Sequence, residues 1–443
     1  MEQSKSMQPC SSYTADDFRP IRTIGSGDIG TVSLAVLRNT NQYFAVKVMK
    51  KEILEARKSG YRVETEREIL SMLKHPFLPS LHSYFVSEKY IYIVMDYCPG
   101  GDLNILRQVQ PEKKFSEAAT RFYAAEVLVA LEYVHKMGIV YRDLKPENVL
   151  IQQNGHIMLV DFDLSLILAE KLNPEVQKLR TRKMKNQSRS LFACFSQKRD
   201  IFEPRDKNSS KERTFVSRVF PLEIYGRKKV LKRPSSTNLL SYSFVGTDEY
   251  LAPEILWRTG HGLAVDWWTF GVFLYEMAYG ITPFKGGTRK ETFFNILCRE
   301  PVMSSPCIAL NDLISKLLVK EPDERFGSVN GSAQIKGHEF FHGVQWDELE
   351  YICRPPFLPS LLSLEEIDKG DIGQEPVLVE SAYDTLALQS TATNLETSHS
   401  LNDLKTSAGG LLESDLSGRH IESINTSQEE PHNLRKAGSF QRS

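Results

Sequence analysis

The chain has 443 residues, of which 41% are hydrophobic and 25% are charged, and its formal net charge is −1. This is the composition of an ordinary globular protein, and its near-neutral charge argues against bulk binding to nucleic acid, so no nucleic-acid partner is expected. The six cysteines include no C-x-x-C pair, which argues against a zinc site or a disulfide framework and fits a reducing compartment.

Residues 1–17 are polar and rich in serine, which predicts a flexible tail. They contain neither the apolar core of a signal peptide nor a glycine at position 2 for myristoylation. The sequence has no run of about 18 apolar residues, so no transmembrane segment is expected. These features indicate a protein of the cytoplasm, with the nucleus or the surface of the plasma membrane as further addresses.

From Phe18 to Met95, short runs rich in β-branched and aromatic residues predict strands. The runs are Pro20–Ile24, Thr31–Leu37, Tyr43–Met49 and Tyr90–Met95. Between the last two, residues at helical spacing predict a helix over Arg62–Leu73, which ends before a His-Pro pair. The first part of the fold is therefore expected to be mostly sheet with one helix.

After Gly100 the pattern becomes helical. Ser116 is the predicted N-cap of a helix with an apolar face from Ala119 to Val134, and further helices are predicted over Ala264–Tyr279 and Leu310–Val319. Residues 171–233 are rich in Lys, Arg, Ser and Asn without periodicity, which predicts a basic loop inserted into the fold. After about residue 364 the composition predicts disorder to the end of the chain.

A glycine-rich stretch, Gly25-Ser-Gly-Asp-Ile-Gly30, lies between the first two predicted strands. Glycine lets a backbone approach phosphate oxygens closely and offers N–H donors with no side chain in the way. A glycine-rich hairpin is often an ordinary turn, so this stretch alone is weak evidence of nucleotide binding. Its strand–turn–strand setting also differs from a dinucleotide-binding motif, which needs strand–turn–helix.

Lys47 follows the apolar residues Phe44-Ala-Val in the third predicted strand, and Glu66 lies in the next helix. A lysine there could simply extend from a sheet edge into water. Its position soon after the glycines favours another role, in which Lys47 holds the α- and β-phosphates of a nucleotide and Glu66 holds Lys47.

The strongest signal is a pair of polar motifs, Tyr141-Arg-Asp-Leu-Lys-Pro-Glu-Asn148 and Leu159-Val-Asp-Phe-Asp163. Asp143 can accept the proton of a substrate hydroxyl, and Lys145 can lie against the phosphoryl group in transfer. Asn148 and Asp161 offer hard oxygen ligands to a Mg²⁺ ion that bridges the phosphates. These spacings predict phosphoryl transfer from ATP with Mg²⁺.

Three further charged residues stand in apolar surroundings, where each needs a partner. Glu254 ends the stretch that begins at Gly246, and its natural partner is Arg325 far downstream. Asp266 precedes two tryptophans, and it is expected to accept backbone N–H groups of the loop from Tyr141 to Asp143.

In this order the motifs resemble those of the eukaryotic protein kinases, over residues 18–341. The resemblance implies an α+β, bilobal fold with a small β lobe, a larger α lobe and ATP in the cleft between them. It implies a kinase domain over residues 18–342, a C-terminal extension over 343–443, and a serine/threonine kinase that uses ATP and Mg²⁺ on protein substrates. The narrower resemblance is to the AGC group and its plant-specific, PINOID-like branch, which would place the chain in auxin-related growth signalling. It rests on Asp161-Phe-Asp163, the insertion before Ser243, and His261–Gly271.

The family likeness assigns roles residue by residue. It implies ATP contacts for Ile24, Gly25, Ser26, Gly27, Asp28, Ile29, Gly30, Thr31, Val32, Ala45, Lys47, Met95, Asp96 and Cys98. It implies catalytic roles for Lys47, Glu66, Asp143 and Lys145, Mg²⁺ ligation by Asn148 and Asp161, structural roles for Glu254, Asp266 and Arg325, and substrate contacts for Asp102, Glu147 and Thr247.

Two implied roles concern partners. Asp102 and Glu147 match acidic positions that receive a basic residue upstream of the target Ser or Thr, although Asp102 could instead serve a helix N-terminus or a ribose. Ser243, three residues before Gly246, matches the phosphorylation site of the activation segment, with Arg142 as counter-charge and an upstream activating kinase as partner.

Some residues depart from the family pattern. Asp163 stands where most kinases have glycine, Tyr141 replaces a histidine, and Ile29 replaces an aromatic residue at the tip of the phosphate loop. The chain also lacks a terminal Phe-x-x-Phe motif. A pseudokinase that acts as a scaffold is the main alternative, and a kinase of small molecules is a weaker one. The presence of Lys47 and Asp143 argues against the first.

The basic residues of the insertion are densest over 227–233. Three interpretations stay open: a solvated loop, a nuclear import signal, and a patch that binds anionic lipid at the membrane surface.

Overall fold

A computed structural model describes residues 13–168, 240–351 and 355–357. Its first part is an antiparallel sheet of five strands in the order β1-β2-β3-β5-β4. The strands are β1 Phe18–Ser26, β2 Thr31–Leu37, β3 Tyr43–Lys50, β4 Leu81–Val86 and β5 Tyr90–Asp96. The four predicted strands are therefore confirmed, and β4 is an addition. It is half-buried over most of its length, with His82 and Ser83 in its interior, so it lacks an alternating apolar pattern.

Two helices follow β3 and cover one face of the sheet. They are α1, Lys51–Ala56, and α2, Gly60–Leu70. The predicted helix over 62–73 is confirmed, but it ends at Leu70, earlier than expected. The hydroxyl of Ser71 donates to the carbonyl of Glu68 at 2.7 Å, a local hydrogen bond that competes with another helical turn.

The second part of the fold is mostly helical. Its helices are α3 Leu103–Gln108, α4 Glu117–Lys136, α5 Pro253–Trp257, α6 Ala264–Tyr279, α7 Arg289–Cys298, α8 Ile308–Leu317 and α9 Ser332–Lys336. Two small antiparallel sheets pair β6 Ile139–Val140 with β9 Leu166–Ile167, and β7 Val149–Ile151 with β8 Ile157–Leu159. Single 3-10 turns occupy Ala15–Asp17, Pro111–Lys113, Pro146–Asn148, Asp248–Tyr250 and Glu339–Phe341.

The core of the second part forms around α6, which is buried from Val265 to Met277 and packs against α4 and α8. A Cβ at Gly271 would lie 2.9 Å from the Cβ of Leu317, so the close approach of α6 and α8 requires glycine there. The N-terminus of α4 has the predicted cap, because the Ser116 hydroxyl accepts the N–H of Ala119 at 3.3 Å.

A sheet-rich part followed by a helical part confirms the predicted α+β, bilobal class. The predicted basic insertion, 171–233, and the predicted disordered tail after residue 364 lie outside the described residues. Within the part of the chain that the structure describes, no helix has both the length and the apolar content to cross a membrane.

Candidate active site

Lys47 lies at the centre of the cleft between the two parts of the fold. It stands in the middle strand of the sheet, paired with Val32 on β2 and Ile93 on β5. Its Nζ donates to the two carboxylate oxygens of Glu66 at 2.8 and 2.9 Å and to Oδ1 of Asp161 at 3.1 Å. Burial opposes the lysine charge, but the nearby carboxylates, led by Asp161 and Glu66, outweigh it and raise the Lys47 pKa. The lysine is therefore held as a cation.

The glycine-rich stretch forms the turn between β1 and β2, closed by a hydrogen bond from the N–H of Gly27 to the carbonyl of Gly30 at 2.8 Å. Gly30 is required by packing, because a Cβ there would lie 2.6 Å from the Met49 side chain and from the Val48 carbonyl oxygen. Ile29 is only 2% exposed and belongs to the core. The side chain of Ile29 therefore packs inward, and the predicted contact of Ile29 with ATP stays a prediction.

The end of β5 carries two further predicted ATP contacts, Met95 and Asp96. Met95 is paired with Ala45 across β5 and β3, which brings these two predicted ATP contacts together. The Asp96 carboxylate instead accepts the N–H of Ser80 at 2.7 Å and contacts His82 at 2.6 Å. The side chain of Asp96 therefore ties β5 to the start of β4.

Cys98 is 6% exposed, and its thiol contacts the sulfur of Met158 at 3.6 Å. Burial raises the pKa of Cys98 to about 12. The cysteine therefore acts as a small apolar side chain packed against Met158.

The loop after β6 assembles the predicted catalytic group. Lys145 donates from Nζ to Oδ2 of Asp143 at 2.7 Å and to the hydroxyl of Thr247 at 3.1 Å. The Thr247 hydroxyl in turn donates to Oδ1 of Asp143 at 3.2 Å. Asn148 donates its amide to the backbone carbonyl and the carboxylate of Asp143 at 2.8 and 2.9 Å. The buried carboxylate of Asp143 is therefore held by three side chains that come from two segments of the chain.

Asp266 supports this loop from below. Fully buried on α6, it accepts the N–H groups of Tyr141 and Arg142 at 2.8 and 2.7 Å and contacts the His135 ring at 2.7 Å. This is the contact that its apolar sequence setting predicts. It lets Arg142 keep a strained backbone with φ of 72°, which costs about 1 kcal/mol or more.

The residues present fit a Mg²⁺ ion that also binds phosphate. Asn148 uses its amide nitrogen on Asp143, so its amide oxygen is the atom that can ligate a metal. Asp161 gives Oδ1 to Lys47, and its side chain is still 39% exposed. Burial opposes the charge of Asp161, but Lys47 outweighs it and holds the pKa of Asp161 below its usual value. Within the described residues no group of three or more His, Cys, Asp or Glu could hold a metal. In a nucleotide complex, phosphate oxygens would supply further ligands.

Arg142 and Ser243 lie together beside the catalytic loop. Nη1 of Arg142 donates to the hydroxyls of Ser243 and Ser241 at 2.8 and 3.3 Å, and Nε donates to the Leu164 carbonyl at 2.6 Å. These partners are neutral, and burial lowers the pKa of Arg142 to about 10. The guanidinium thus contacts a neutral hydroxyl of Ser243. Phosphorylation of this residue would place up to about two negative charges at the same position.

The residues predicted to contact substrate occupy different settings. Glu147 is exposed on the 3-10 turn next to Asp143. Asp102 caps α3, because its Oδ1 accepts the N–H of Ile105 at 2.8 Å, so the helix-terminus alternative applies to at least one of its oxygens.

Sequence reasoning missed Glu276, which lies in the buried stretch of α6. It accepts from Arg107 at 3.0 Å and from the hydroxyl of Tyr250, and burial followed by nearby acids including Glu147 raises its pKa. The sequence does contain an indication of its importance, because an acidic residue within an otherwise apolar helix needs a function or a partner. Glu276 is only 8% exposed and already paired, so Glu147 is the exposed carboxylate of the two.

The buried ion pair of the second part of the fold has the predicted partners. Arg325 donates to the two carboxylate oxygens of Glu254 at 2.7 and 2.9 Å, and both residues are 1% exposed. A paired fork of this kind fixes the orientation of both groups, so it ties α5 to the chain after α8.

Arg62 and Asp163 form a second contact that sequence reasoning missed. Nη2 of Arg62 lies 2.5 Å from Oδ2 of Asp163, and Nη1 donates to Oδ2 of Asp28 at 2.9 Å. These partners are 101 and 34 residues away in sequence, so no local pattern could reveal them. The unusual Asp163 was the one available signal.

Comparison with known proteins adds independent information. A family model described as "Protein kinase domain" matches residues 18–185 and 225–341. The chain is 46% identical to a serine/threonine-protein kinase of Arabidopsis thaliana over 362 residues, which cover 79% of this chain and 71% of the relative. It is 47% identical to serine/threonine-protein kinase AGC1-7 of the same plant, over 78% of this chain and 64% of the relative. A protein kinase of Oryza sativa subsp. indica is 42% identical, over 82% of this chain and 64% of its own length.

Proposed function

The chain belongs to the protein kinase family, and from this membership and the geometry of the cleft we propose that it is a serine/threonine kinase of protein substrates. The resemblance to plant AGC-group kinases is confirmed by relatives that include AGC1-7. The chain spans about two thirds of the length of these curated relatives, at 71% and 64% for the two Arabidopsis proteins. The activity and substrates of the whole protein are therefore part of the proposal.

One observation supports the proposal most strongly. Lys47 and Glu66, from the first part of the fold, meet Asp161 of the second part within 3.1 Å. Asp143, Lys145 and Thr247, all from the second part, meet within 3.2 Å. These residues come from both parts of the fold, and phosphoryl transfer needs both a positioned nucleophile and neutralised charge.

Each residue has a definite task in this reaction. Asp143 accepts the proton of the substrate hydroxyl as its oxygen attacks the γ-phosphorus of ATP, while the bond from that phosphorus to the β,γ-bridging oxygen breaks and ADP leaves. The Thr247 hydroxyl donates to the same carboxylate and so helps to orient it. Lys145 neutralises charge that develops on the phosphoryl oxygens in transfer. Lys47 binds the phosphates that stay on the nucleotide, and Glu66 fixes its position.

Asn148 and Asp161 would hold Mg²⁺, which supplies charge neutralisation at the phosphates when it is bound. Asn148 also orients Asp143 through its amide, so one residue connects the metal position with the proton acceptor.

The experiment is transfer of radiolabelled phosphate from Mg·ATP to a basic model protein such as a histone or myelin basic protein. The full chain should label Ser and Thr but not Tyr, and Asp143→Asn should not label the substrate at a comparable rate. Equal labelling by the two proteins would contradict the role of Asp143.

A pseudokinase scaffold is the alternative function. It predicts no transfer by the full chain with any substrate, even though Mg·ATP binds. Lys47, Asp143 and Asp161 are all present and in contact with the partners described above, which favours the active kinase.

For substrates, we propose a preference for Arg at two or three positions before the target Ser or Thr. Glu147 is exposed on the 3-10 turn Pro146–Asn148, in the loop that holds Asp143. An exposed carboxylate at this place would attract a guanidinium, whose planar fork matches the two carboxylate oxygens. An upstream kinase that phosphorylates Ser243 is the second proposed partner, since Arg142 already contacts its hydroxyl.

The subcellular location of the protein stays a proposal, with the three interpretations of the basic insertion given above. The basic cluster 227–233 lies outside the described residues. A fluorescent fusion with these basic residues neutralised separates them. Loss from the nucleus would support import, and loss from the cell periphery would support binding to anionic lipid. An unchanged distribution would leave a solvated loop. The auxin-related role also stays a prediction.

A further inference from the structure

Arg62 lies on α2 one helical turn before Glu66, the partner of Lys47. Its side chain is only 15% exposed, and its guanidinium contacts two acids from distant parts of the chain. Asp28 belongs to the glycine-rich turn, and Asp163 follows the proposed Mg²⁺ ligand Asp161 by two residues. The arginine therefore connects α2 with both segments that surround the phosphate position.

Asp163 makes this contact more than a surface ion pair. Its side chain is 9% exposed, so the carboxylate is removed from water and needs a cation. A glycine at this position, as in most kinases, would carry no such requirement. The Asp163 carboxylate thus provides a contact through which Arg62 of α2 can fix the position of the segment 161–163.

Asp28 is different because its side chain is 62% exposed. Arg57, at the end of α1, also contacts the carboxylate and the backbone carbonyl of Asp28. Both arginines draw the turn toward the helices, and only Arg62 extends the connection to Asp163 among the contacts of the described residues.

We propose that Arg62 is a positioning residue that locks α2, the glycine-rich turn and the 161–163 segment into the arrangement that binds Mg·ATP, with Asp163 as its anchor. This inference rests on the proposed kinase function for its kinetic consequence, and on the contacts alone for its structural one. Its central consequence is that Arg62 matters because Asp163 is present.

A double-mutant cycle tests this dependence. Arg62→Ala should lower kcat/KM for ATP about 10- to 100-fold, as expected when a buried ion pair loses one partner. In the Asp163→Gly background, which already lacks the anchor and should be active but slower than the parent, the same change should cost less than about threefold, because the connection is already broken and no buried carboxylate is left unpaired. Equal losses in the two backgrounds would overturn the proposal.

Arg67→Ala is the matched control, since Arg67 lies on the same helix and is about as little exposed as Arg62, but contacts Glu64 at 2.7 Å and the Tyr84 ring. It should leave kcat/KM for ATP unchanged within about twofold. Where Arg62→Ala does not fold, Arg62→Lys takes its place, because an ammonium lacks the fork that reaches two acids at once. The decrease in kcat/KM for ATP caused by Arg62→Lys should likewise depend on the presence of Asp163.

A second readout needs neither ATP nor activity. Hydrogen exchange of the full chain without nucleotide should speed up about tenfold or more in peptides covering residues 25–32 and 161–165 for Arg62→Ala, and not for Arg67→Ala. Unchanged exchange in both segments would overturn the proposal, whatever the kinetics. If the parent transfers no phosphate, the kinase function fails, and the exchange result still decides the role of Arg62.

Discussion

The guanidinium of Arg142 lies 3.4 Å from the ring nitrogen Nε2 of His261, in the same site that holds the Ser243 hydroxyl. Two side chains that can both carry a positive charge, Arg142 and His261, thus lie side by side in a buried site. His261 is 2% exposed and is held by a pair of backbone hydrogen bonds to Ser241 at 2.9 Å. Burial and then the Arg142 charge lower the pKa of His261 to about 4. The histidine is therefore neutral in the folded protein at pH 7.

The first prediction is a loss of stability in acid that depends on this histidine. The unfolded chain binds a proton on His261 below about pH 6.5, but the folded protein does so only near pH 4. The stability that depends on the neutral ring is complete above pH 6.5 and is lost progressively as pH falls toward 4. The slope should be about 1.4 kcal/mol per pH unit.

Denaturant unfolding at pH 7 and pH 5 measures this effect. His261→Gln should reduce the loss between the two pH values by about 2 kcal/mol, and the exposed His342→Gln should not reduce it. His75, whose pKa burial also lowers to about 4, should contribute a similar loss at its own site. An identical pH dependence for His261→Gln and the parent would show that His261 is protonated in the folded state.

The second prediction concerns Ser243. Phosphate on this residue would face the Arg142 guanidinium, which now contacts neutral groups, and would gain at least one charge-assisted hydrogen bond. Ser243→Ala should therefore lower kcat of protein prepared with its upstream kinase about tenfold or more, with KM for ATP nearly unchanged.

The control for this prediction is Ser315→Ala, on the surface of α8, where the hydroxyl only donates to the Asp312 carbonyl. Mass spectrometry of the active parent supplies the second test. Full activity in protein that carries no phosphate on Ser243 would refute the switch.

The third prediction concerns Lys47. Lys47→Met removes the cation that faces Glu66 and Asp161 and leaves two carboxylates without it, so turnover should fall by several orders of magnitude. Lys50→Met, three residues later at the end of β3 and half-buried, is the matched change at a site outside the cleft. If the turnover of Lys47→Met stayed within about tenfold of the turnover of the parent, another residue would have to hold the phosphates.

The fourth prediction concerns substrate choice. Glu147→Ala removes the exposed carboxylate of the catalytic loop and should reduce the preference for Arg before the target residue about tenfold or more on a peptide array. Glu112→Ala, a change to an exposed glutamate paired with Lys114, should leave the preference unchanged. An array without any basic preference in the parent would reject the substrate proposal.

The elements that the sequence predicts well are those with a strong local pattern. The helix over Ala264–Tyr279 has the predicted bounds, because nearly all of its residues are apolar and Gly280 ends it with φ of 78°. The short helix α1 buries only Leu54 and thus has little periodicity to detect. Partners that α2 finds across 101 residues have no local signature at all.

The candidate site was more predictable than the fold around it. Phosphoryl transfer uses few residue types at fixed spacings, so the catalytic loop and the Asp161 motif can be identified without coordinates. The orientation of individual side chains was not predictable. The sequence cannot show that Ile29 packs into the core or that the Asp96 carboxylate contacts Ser80 and His82. Those orientations depend on packing between segments that are far apart in the chain.

The buried thiol of Cys98 has a consequence for chemical inhibition. A cysteine at the edge of a nucleotide cleft is an obvious target for electrophilic inhibitors, which react with the thiolate. Here the thiol contacts Met158 and stays protonated because its pKa is about 12, so such compounds should not label it at neutral pH. Selective inhibition would have to exploit the shape of the site instead, and we expect Met95→Gly, at the predicted ATP contact paired with Ala45, to admit an inhibitor too bulky for the parent.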